Sequence, residues 1–156
     1  MNMVERAKQG REMFKKIMVA IDGSECAGGA AKTACALAEQ LRGAEVRLIH
    51  VVEDAPSRGE VMRSGMEVKP VLKEKAKART APVIEVFEAA GVDHSLKVAL
   101  GDPADKIVET ARDEEMDLIV IGSRGLGSVG SLLLGSVSRR VSQQAACPVM
   151  IVKGDD

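Results

Sequence analysis

The 156-residue sequence has the length of one common domain, and its 46% hydrophobic and 29% charged residues exclude a disordered chain. Its 22 Lys and Arg residues nearly balance 23 Asp and Glu residues, and it has two Phe and no Trp or Tyr, so we expect no nucleic-acid partner. Three Cys without a CxxC pair predict neither a zinc site nor a disulfide framework.

The start of the chain predicts a short arm. Residues 1–13 mix charges and lack the apolar segment of a signal peptide, and no apolar run in the sequence approaches the roughly 18 residues of a membrane-spanning helix. We therefore expect an N-terminal arm over residues 1–13, a single domain over residues 14–156, and a cytoplasmic protein without a membrane partner.

The next segment predicts strand, helix, strand and loop. Short apolar runs predict strands over residues 16–21 and 45–52. Ser24 is the expected N-cap of the helix between them, and Gly43 is its expected C-terminal glycine. Residues 53–65 show no clear period, so they predict a loop that is long for a compact domain.

A helical pattern extends over residues 66–90. Pro82 is expected to kink or split this helix, and Gly91 to end it. The face that packs on the core is expected to carry Val71, Leu72, Ala76, Arg79, Val83, Val86, Phe87 and Ala90.

The second half of the chain repeats the alternation of strand and helix. Asp102 is the expected N-cap of a helix with Pro103 at its first position. The remaining predicted elements are strands over residues 92–100, 116–122 and 148–152, and helices that end near residue 115 and span residues 136–145. Five strands that alternate with four helices predict an α/β domain with one parallel sheet and helices on both faces.

The stretch GSRGLGSVGSLLLGS, residues 122–136, follows the fourth predicted strand and admits several nucleotide-binding patterns. Gly130 and Gly135 match the start of a Walker A loop, but the lysine that should follow is absent. GLGSVG, residues 125–130, matches the dinucleotide fingerprint GxGxxG, but the acidic residue expected roughly 20 positions later is absent. Both patterns therefore fail on their context.

A wider spacing fits the whole stretch. Gly122, Gly125, Gly135 and Ser136 form the pattern G-x2-G-x9-G-S. The sequence resembles the universal stress protein family, whose nucleotide-binding members carry G-x2-G-x9-G-[ST] after the fourth strand. The stretches KIMVAIDGSE, HVVE and GDPADKI also match the family at the first strand, after the second strand and before the third helix. The resemblance covers residues 14–152.

The resemblance implies a fold, a ligand and partners. The implied fold is Rossmann-like, a doubly wound five-stranded sheet in the order 3-2-1-4-5, which places a ligand crevice between strands 1 and 4. The implied ligand is ATP, with AMP and ADP as alternatives, and Mg²⁺ would arrive with the phosphates and keep most of its waters. Members commonly form homodimers through the last strand, here residues 149–152, and the implied role is in stress response or signalling with an unidentified protein partner.

The same resemblance assigns the site residues. Asp22 matches the aspartate that contacts ribose, Val51 the position whose backbone pairs with adenine, and Gly101 with Asp102 the floor of the adenine pocket. The expected nucleotide-binding residues are Ala20, Asp22, Val51, Gly101, Gly122, Arg124, Gly125, Gly127, Gly135, Ser136, Val137 and Ser138. Glycine-loop amides and the amides of the first turn of the following helix also favour phosphate on physical grounds alone.

Residue chemistry alone leaves alternatives open at several of these positions. Asp22 could instead close an Asx-turn onto Ser24, Arg124 could be an ordinary exposed arginine, and Asp102 could be a simple N-cap. The glycine-rich stretch could be a flexible surface loop, although its three leucines favour a loop that packs down.

The sequence does not predict a catalytic centre. With His50 and His94 as its two histidines it shows no convincing Ser-His-Asp arrangement, and His50 is expected to be packed or solvated rather than catalytic. We expect a binding protein with at most slow ATP hydrolysis. The alternatives are an ATP-using phosphotransferase and a dimeric interaction protein that binds no nucleotide.

Overall fold

The computed structural model describes residues 3–8, 13–126 and 134–154, and its five parallel strands form one sheet in the order β3-β2-β1-β4-β5. The strands are β1 (Lys16–Ala20), β2 (Glu45–Val52), β3 (His94–Leu100), β4 (Leu118–Gly122) and β5 (Val149–Val152). The helices are α1 (Met3–Lys8), α2 (Glu25–Gln40), α3 (Arg58–Arg63), α4 (Val68–Ala90), α5 (Pro103–Asp113) and α6 (Ser136–Gln144). The predicted α/β class and strand order are confirmed.

The central strands are apolar on both faces. All five residues of β4 are buried, and Ile17, Met18 and Val19 of β1 have no exposed surface. Such strands must be covered on both sides, which is why their sequences show continuous apolar runs rather than alternation. The edge strand β5 is half-buried to exposed instead.

Helices cover the sheet in two layers. Residues of β1 that point to one face, such as Ile17 and Val19, pack with alanines of α2 and with Phe87 of α4. Met18 points to the opposite face and packs with Ile107 of α5 and Val141 of α6. None of the helices within the described ranges is both long enough and apolar enough to cross a membrane.

Two helix starts follow the sequence prediction closely. The Ser24 side chain accepts a hydrogen bond from the Ala27 amide at 3.2 Å and caps α2. Asp102 accepts one from the Asp105 amide at 3.0 Å and caps α5, with Pro103 at the first helical position. Side-chain caps of this kind satisfy amides that have no partner within the helix.

The segment predicted as a loop, residues 53–65, contains α3. Ser57 and Glu60 form a capping box, in which the Ser57 hydroxyl accepts from the Glu60 amide and the Glu60 carboxylate accepts from the Ser57 amide. The prediction was wrong because α3 buries none of its residues, so it has no apolar period to detect. The Ser-x-x-Glu pattern was the available signal.

The long helix α4 differs from its prediction in two ways. It runs through Pro82 as one helix of 23 residues, so Pro82 does not split it. Arg79 and Ala90, expected on the buried face, are exposed. Thr80 is buried instead of Arg79, with its hydroxyl donating to the Ala76 carbonyl at 3.1 Å. A threonine can be buried in a helix because its hydroxyl bonds back to the preceding turn, whereas a buried guanidinium would need a charged partner.

Candidate functional site

A cavity of about 290 Å³ opens at the carboxyl ends of β1, β2 and β4, near the lower limit of the roughly 300–1,000 Å³ typical of small-molecule sites. Within the sheet, β1 has β2 as its neighbour on one side and β4 as its neighbour on the other. The cavity therefore lies at the reversal of strand order, where open parallel sheets bind ligands.

The structure brings together most of the residues predicted for the site. The cavity is lined by Ala20, Asp22, Val51, Gly122, Arg124, Gly125, Gly135, Ser136, Val137 and Ser138. Gly101 does not line it, since this residue follows β3 and donates its amide to the Val52 carbonyl at 3.0 Å. Gly127, also predicted, lies outside the described residues.

Asp22 joins two loops at the base of the cavity. One carboxylate oxygen, Oδ1, accepts hydrogen bonds from the Ser24 amide at 2.9 Å and the Ser24 hydroxyl at 2.5 Å. The other, Oδ2, accepts from the Leu126 amide at 3.2 Å. The Asx-turn left open by the sequence is therefore present, and the same side chain also holds the start of the glycine-rich loop.

Two glycines allow close approaches that a side chain would prevent. A Cβ atom on Gly125 would lie 2.7 Å from Oδ2 of Asp22, inside the loop that this carboxylate holds. A Cβ atom on Gly122 would lie 2.7 Å from the backbone carbon of Cys26 in the first turn of α2. Gly125 thus serves the shape of the cavity, whereas Gly122 serves the packing of β4 against α2.

The first turn of α6 faces the cavity without a side-chain cap. Gly135 occupies the N-cap position, and its amide donates to the Ser123 carbonyl at 2.7 Å, which joins the two ends of the loop. The buried Ser138 hydroxyl strengthens the same junction by donating to the Ser123 carbonyl at 3.0 Å. An uncapped helix start presents amides and a positive dipole end, which together favour an anion.

His50 lines the cavity wall, but its side chain is buried and hydrogen-bonded to the backbone. It is 3% exposed, and its Nδ1 lies 2.7 Å from the Ile21 carbonyl oxygen. Because a carbonyl oxygen only accepts hydrogen bonds, Nδ1 carries the proton. His50 therefore fixes the end of β1 beside Asp22, which agrees with the prediction that it is packed.

Asp102, also expected at the floor of the adenine pocket, does not line the cavity and instead links two helices. Its carboxylate accepts hydrogen bonds from Arg140 Nη1 at 3.0 and 3.1 Å, in addition to the Asp105 amide that it caps. The Asp105 amide and the Arg140 guanidinium hold the pKa of Asp102 below its usual value. The N-cap role is therefore confirmed, and Asp102 also ties α5 to α6.

The structure adds cavity residues that sequence reasoning missed. Pro103 and Ile107 of α5 add apolar surface to the cavity that Val51 also lines, while Glu53 and Arg79 add charges. The position of Pro103 directly after the GD pair of GDPADKI was an available signal for the first two. Arg79 had none, because its neighbours on α4 are an ordinary mixture of basic and apolar residues.

Comparisons with known proteins agree with this fold. The model of the universal stress protein family matches residues 13–153. A universal stress protein of Thermus aquaticus is 40% identical over 143 residues, covering 90% of this chain and all of that protein.

Solved structures share the fold. The structure of MJ0577 from Methanocaldococcus jannaschii has a TM-score of 0.76 and 33% identity, and the match covers 93% of this chain and 99% of that one. The crystal structure of a universal stress protein in complex with cAMP has a TM-score of 0.65 and 25% identity, covering 92% of this chain and all of that one.

Proposed function

The chain belongs to the universal stress protein family, and on this basis we propose that it binds an adenine nucleotide, ATP in particular, and acts as a nucleotide-dependent stress-response or signalling protein. The observation that carries the proposal is the meeting of Asp22, Val51 and the pattern G-x2-G-x9-G-S around one cavity. The family member solved with cAMP supports an adenine nucleotide as the class of ligand.

Each wall of the cavity suits one part of the nucleotide. Backbone groups of Val51 and the apolar surface of Pro103 and Ile107 would hold the adenine ring. Asp22 would accept hydrogen bonds from the ribose, since a carboxylate accepts several at once. The amides of Gly125 and of the first turn of α6 would hold the phosphates, with Ser136 at the helix start.

Mg²⁺ would enter with the phosphates of ATP. The ion prefers oxygen ligands and keeps several waters when phosphates and one or two carboxylates bind it. Within the described ranges no cluster of three or more His, Cys, Asp or Glu side chains has the arrangement of a metal site. The protein's own role would be to place the phosphate oxygens that bind the ion.

Titration calorimetry of the nucleotide-stripped full chain with ATP, AMP and GTP tests the proposal. We expect heat of binding with the adenine nucleotides and weaker binding of GTP, whose base presents different edge groups to the Val51 backbone. Absence of binding by every adenine nucleotide would contradict the proposal. Turnover of many ATP per minute that is lost in Asp22→Ala would instead favour an enzyme.

Gly125→Ala tests the site itself. The added Cβ would lie 2.7 Å from Asp22 Oδ2 and would displace the carboxylate or the loop, so we expect about tenfold weaker ATP binding or more. Gly59→Ala is the matched control, because its Cβ would meet nothing within 4 Å and it lies outside the cavity. Unchanged affinity in Gly125→Ala would overturn the assignment of the site.

A further inference from the structure

Arg79 approaches the cavity from the face of the sheet opposite to α6. It lies on α4, which packs with α2 on one face, whereas α6 packs on the other. Its aliphatic stem rests on Gly23, the residue after Asp22, where a Cβ would lie 3.0 Å from Arg79 Cγ and 3.3 Å from Arg79 Cβ. The side chain thus crosses the end of β1 to reach the cavity.

The Asp22-Gly23-Ser24 turn makes room for this side chain. Gly23 has a φ of +86°, a conformation that other residues rarely adopt, and it has no Cβ to block the Arg79 stem. The turn that holds Asp22 therefore also leaves room for the Arg79 stem.

The Arg79 guanidinium has no charged partner in the part of the chain that the structure describes. Four charged residues line the cavity within the described ranges: Asp22, Glu53, Arg79 and Arg124. Asp22 already accepts three hydrogen bonds and Arg124 has an interaction of its own. Arg79 makes no hydrogen bond and no ion pair with any described residue. A guanidinium without a partner at a cavity can donate two parallel hydrogen bonds to two oxygens of one phosphate group.

We propose that Arg79 binds the β- or γ-phosphate of a nucleoside di- or triphosphate and so gives the site its preference for ATP over AMP. The inference rests on the proposed nucleotide site. The Gly125 amide and the start of α6 would hold the phosphate next to the ribose, and the farther phosphates of ADP or ATP would reach Arg79 within the same cavity. The AMP portion of the ligand does not need this arginine.

Calorimetric titration of ATP, ADP and AMP into wild-type protein and Arg79→Gln tests the proposal. Gln keeps most of the stem that packs on Gly23 and removes the charge. We expect about tenfold weaker ATP binding in Arg79→Gln, because one charge-assisted hydrogen-bonded pair is lost. The affinity for AMP should change less than about twofold. Arg79→Lys retains the charge without the fork, so we expect it to recover part of the ATP affinity.

Lys77→Gln is the matched control for the change in charge. Lys77 is exposed on the same helix and does not line the cavity, so ATP and AMP affinities should stay at their wild-type values. Equal loss of ATP and AMP affinity in Arg79→Gln, or no loss of either, would overturn the role of Arg79 while leaving nucleotide binding in place. Wild-type protein that binds neither ATP nor AMP would overturn the proposed function and this inference together.

Discussion

Gly122 ends β4 where the first turn of α2 crosses it. A Cβ at this position would lie 2.7 Å from the backbone carbon of Cys26, 2.8 Å from Cys26 Cβ and 2.9 Å from the Ala27 amide nitrogen. Because two of these atoms are backbone, the helix itself would have to move. We expect Gly122→Ala to lower the free energy of unfolding by about 1–3 kcal/mol, measured by urea denaturation.

Gly28→Ala is the control for this substitution. Gly28 lies in α2, and a Cβ added there would meet nothing within 4 Å. The same change at this position should raise the free energy of unfolding by about 0.5–1 kcal/mol, since alanine loses less backbone entropy than glycine in a helix. A Gly122→Ala protein that is as stable as the wild type would show that β4 and α2 pack less closely than described.

Individual residues differ in how far the sequence predicted them. Asp22, Gly125 and Ser136 line the cavity, and the sequence points to them because each belongs to a pattern with fixed spacing next to a recognisable strand end. Gly101 was predicted by the same resemblance and lies off the cavity lining. Gly101 follows β3, which lies beyond β2 at the edge of the sheet, and no local pattern encodes the order of the strands.

At the scale of elements, α3 depends on its capping box. The hydrogen bonds from the Ser57 amide and side chain, together with Lys75, lower the pKa of Glu60 to about 2 from an ordinary value of 4.5. A carboxylate with a lowered pKa stabilises the fold above its unfolded pKa, and this contribution is lost as the pH falls through its folded value. We therefore expect α3 to fray between pH 4.5 and about 2, followed by Cα chemical shifts of Arg58–Arg63.

Glu60→Gln is the matched control for this titration. The amide oxygen of glutamine still accepts from the Ser57 amide, as the capping box allows, but it does not titrate. In this variant α3 should change little over the same pH interval. If α3 frays equally in Glu60→Gln and in the wild-type protein, another group is responsible.

The helices also show where periodicity fails as a guide. The face of α4 was predicted well at Val71, Leu72, Ala76, Val83 and Phe87, which are buried. Arg79 shares that face by its spacing, but it lies where α4 reaches the mouth of the cavity. Helical spacing gives the direction of a side chain around the helix axis and not the depth of packing at each turn. The exposure of Arg79 could therefore be known only once the elements around α4 were placed.

At the scale of the whole molecule, β5 ends the sheet and has no described strand on its outer side. Exposed edges pair readily with other strands, so we expect a homodimer through Val149–Val152, measured by light scattering at micromolar concentration. Met150 is 37% exposed on this strand. Met150→Lys should shift the protein toward monomer, because a charge on an edge strand opposes pairing.

Met62→Lys is the control for the dimer. Met62 is 70% exposed on α3, away from β5, so the same substitution there should leave the molecular mass unchanged. A wild-type protein that is monomeric at micromolar concentration would show that the prediction of a homodimer is wrong.

Local patterns in the chain were enough to predict the succession of strands and helices, the α/β class and the position of the glycine-rich loop after β4, because apolar periodicity, helix caps and glycine spacing are properties of short segments. Which distant side chains share the cavity became clear only from the folded molecule. The Arg79 stem approaches Gly23, and Arg79 and Pro103 both line the cavity, although α4 and α5 cover opposite faces of the sheet. Such contacts depend on packing between elements far apart in the chain, where no local signal sets distance or depth.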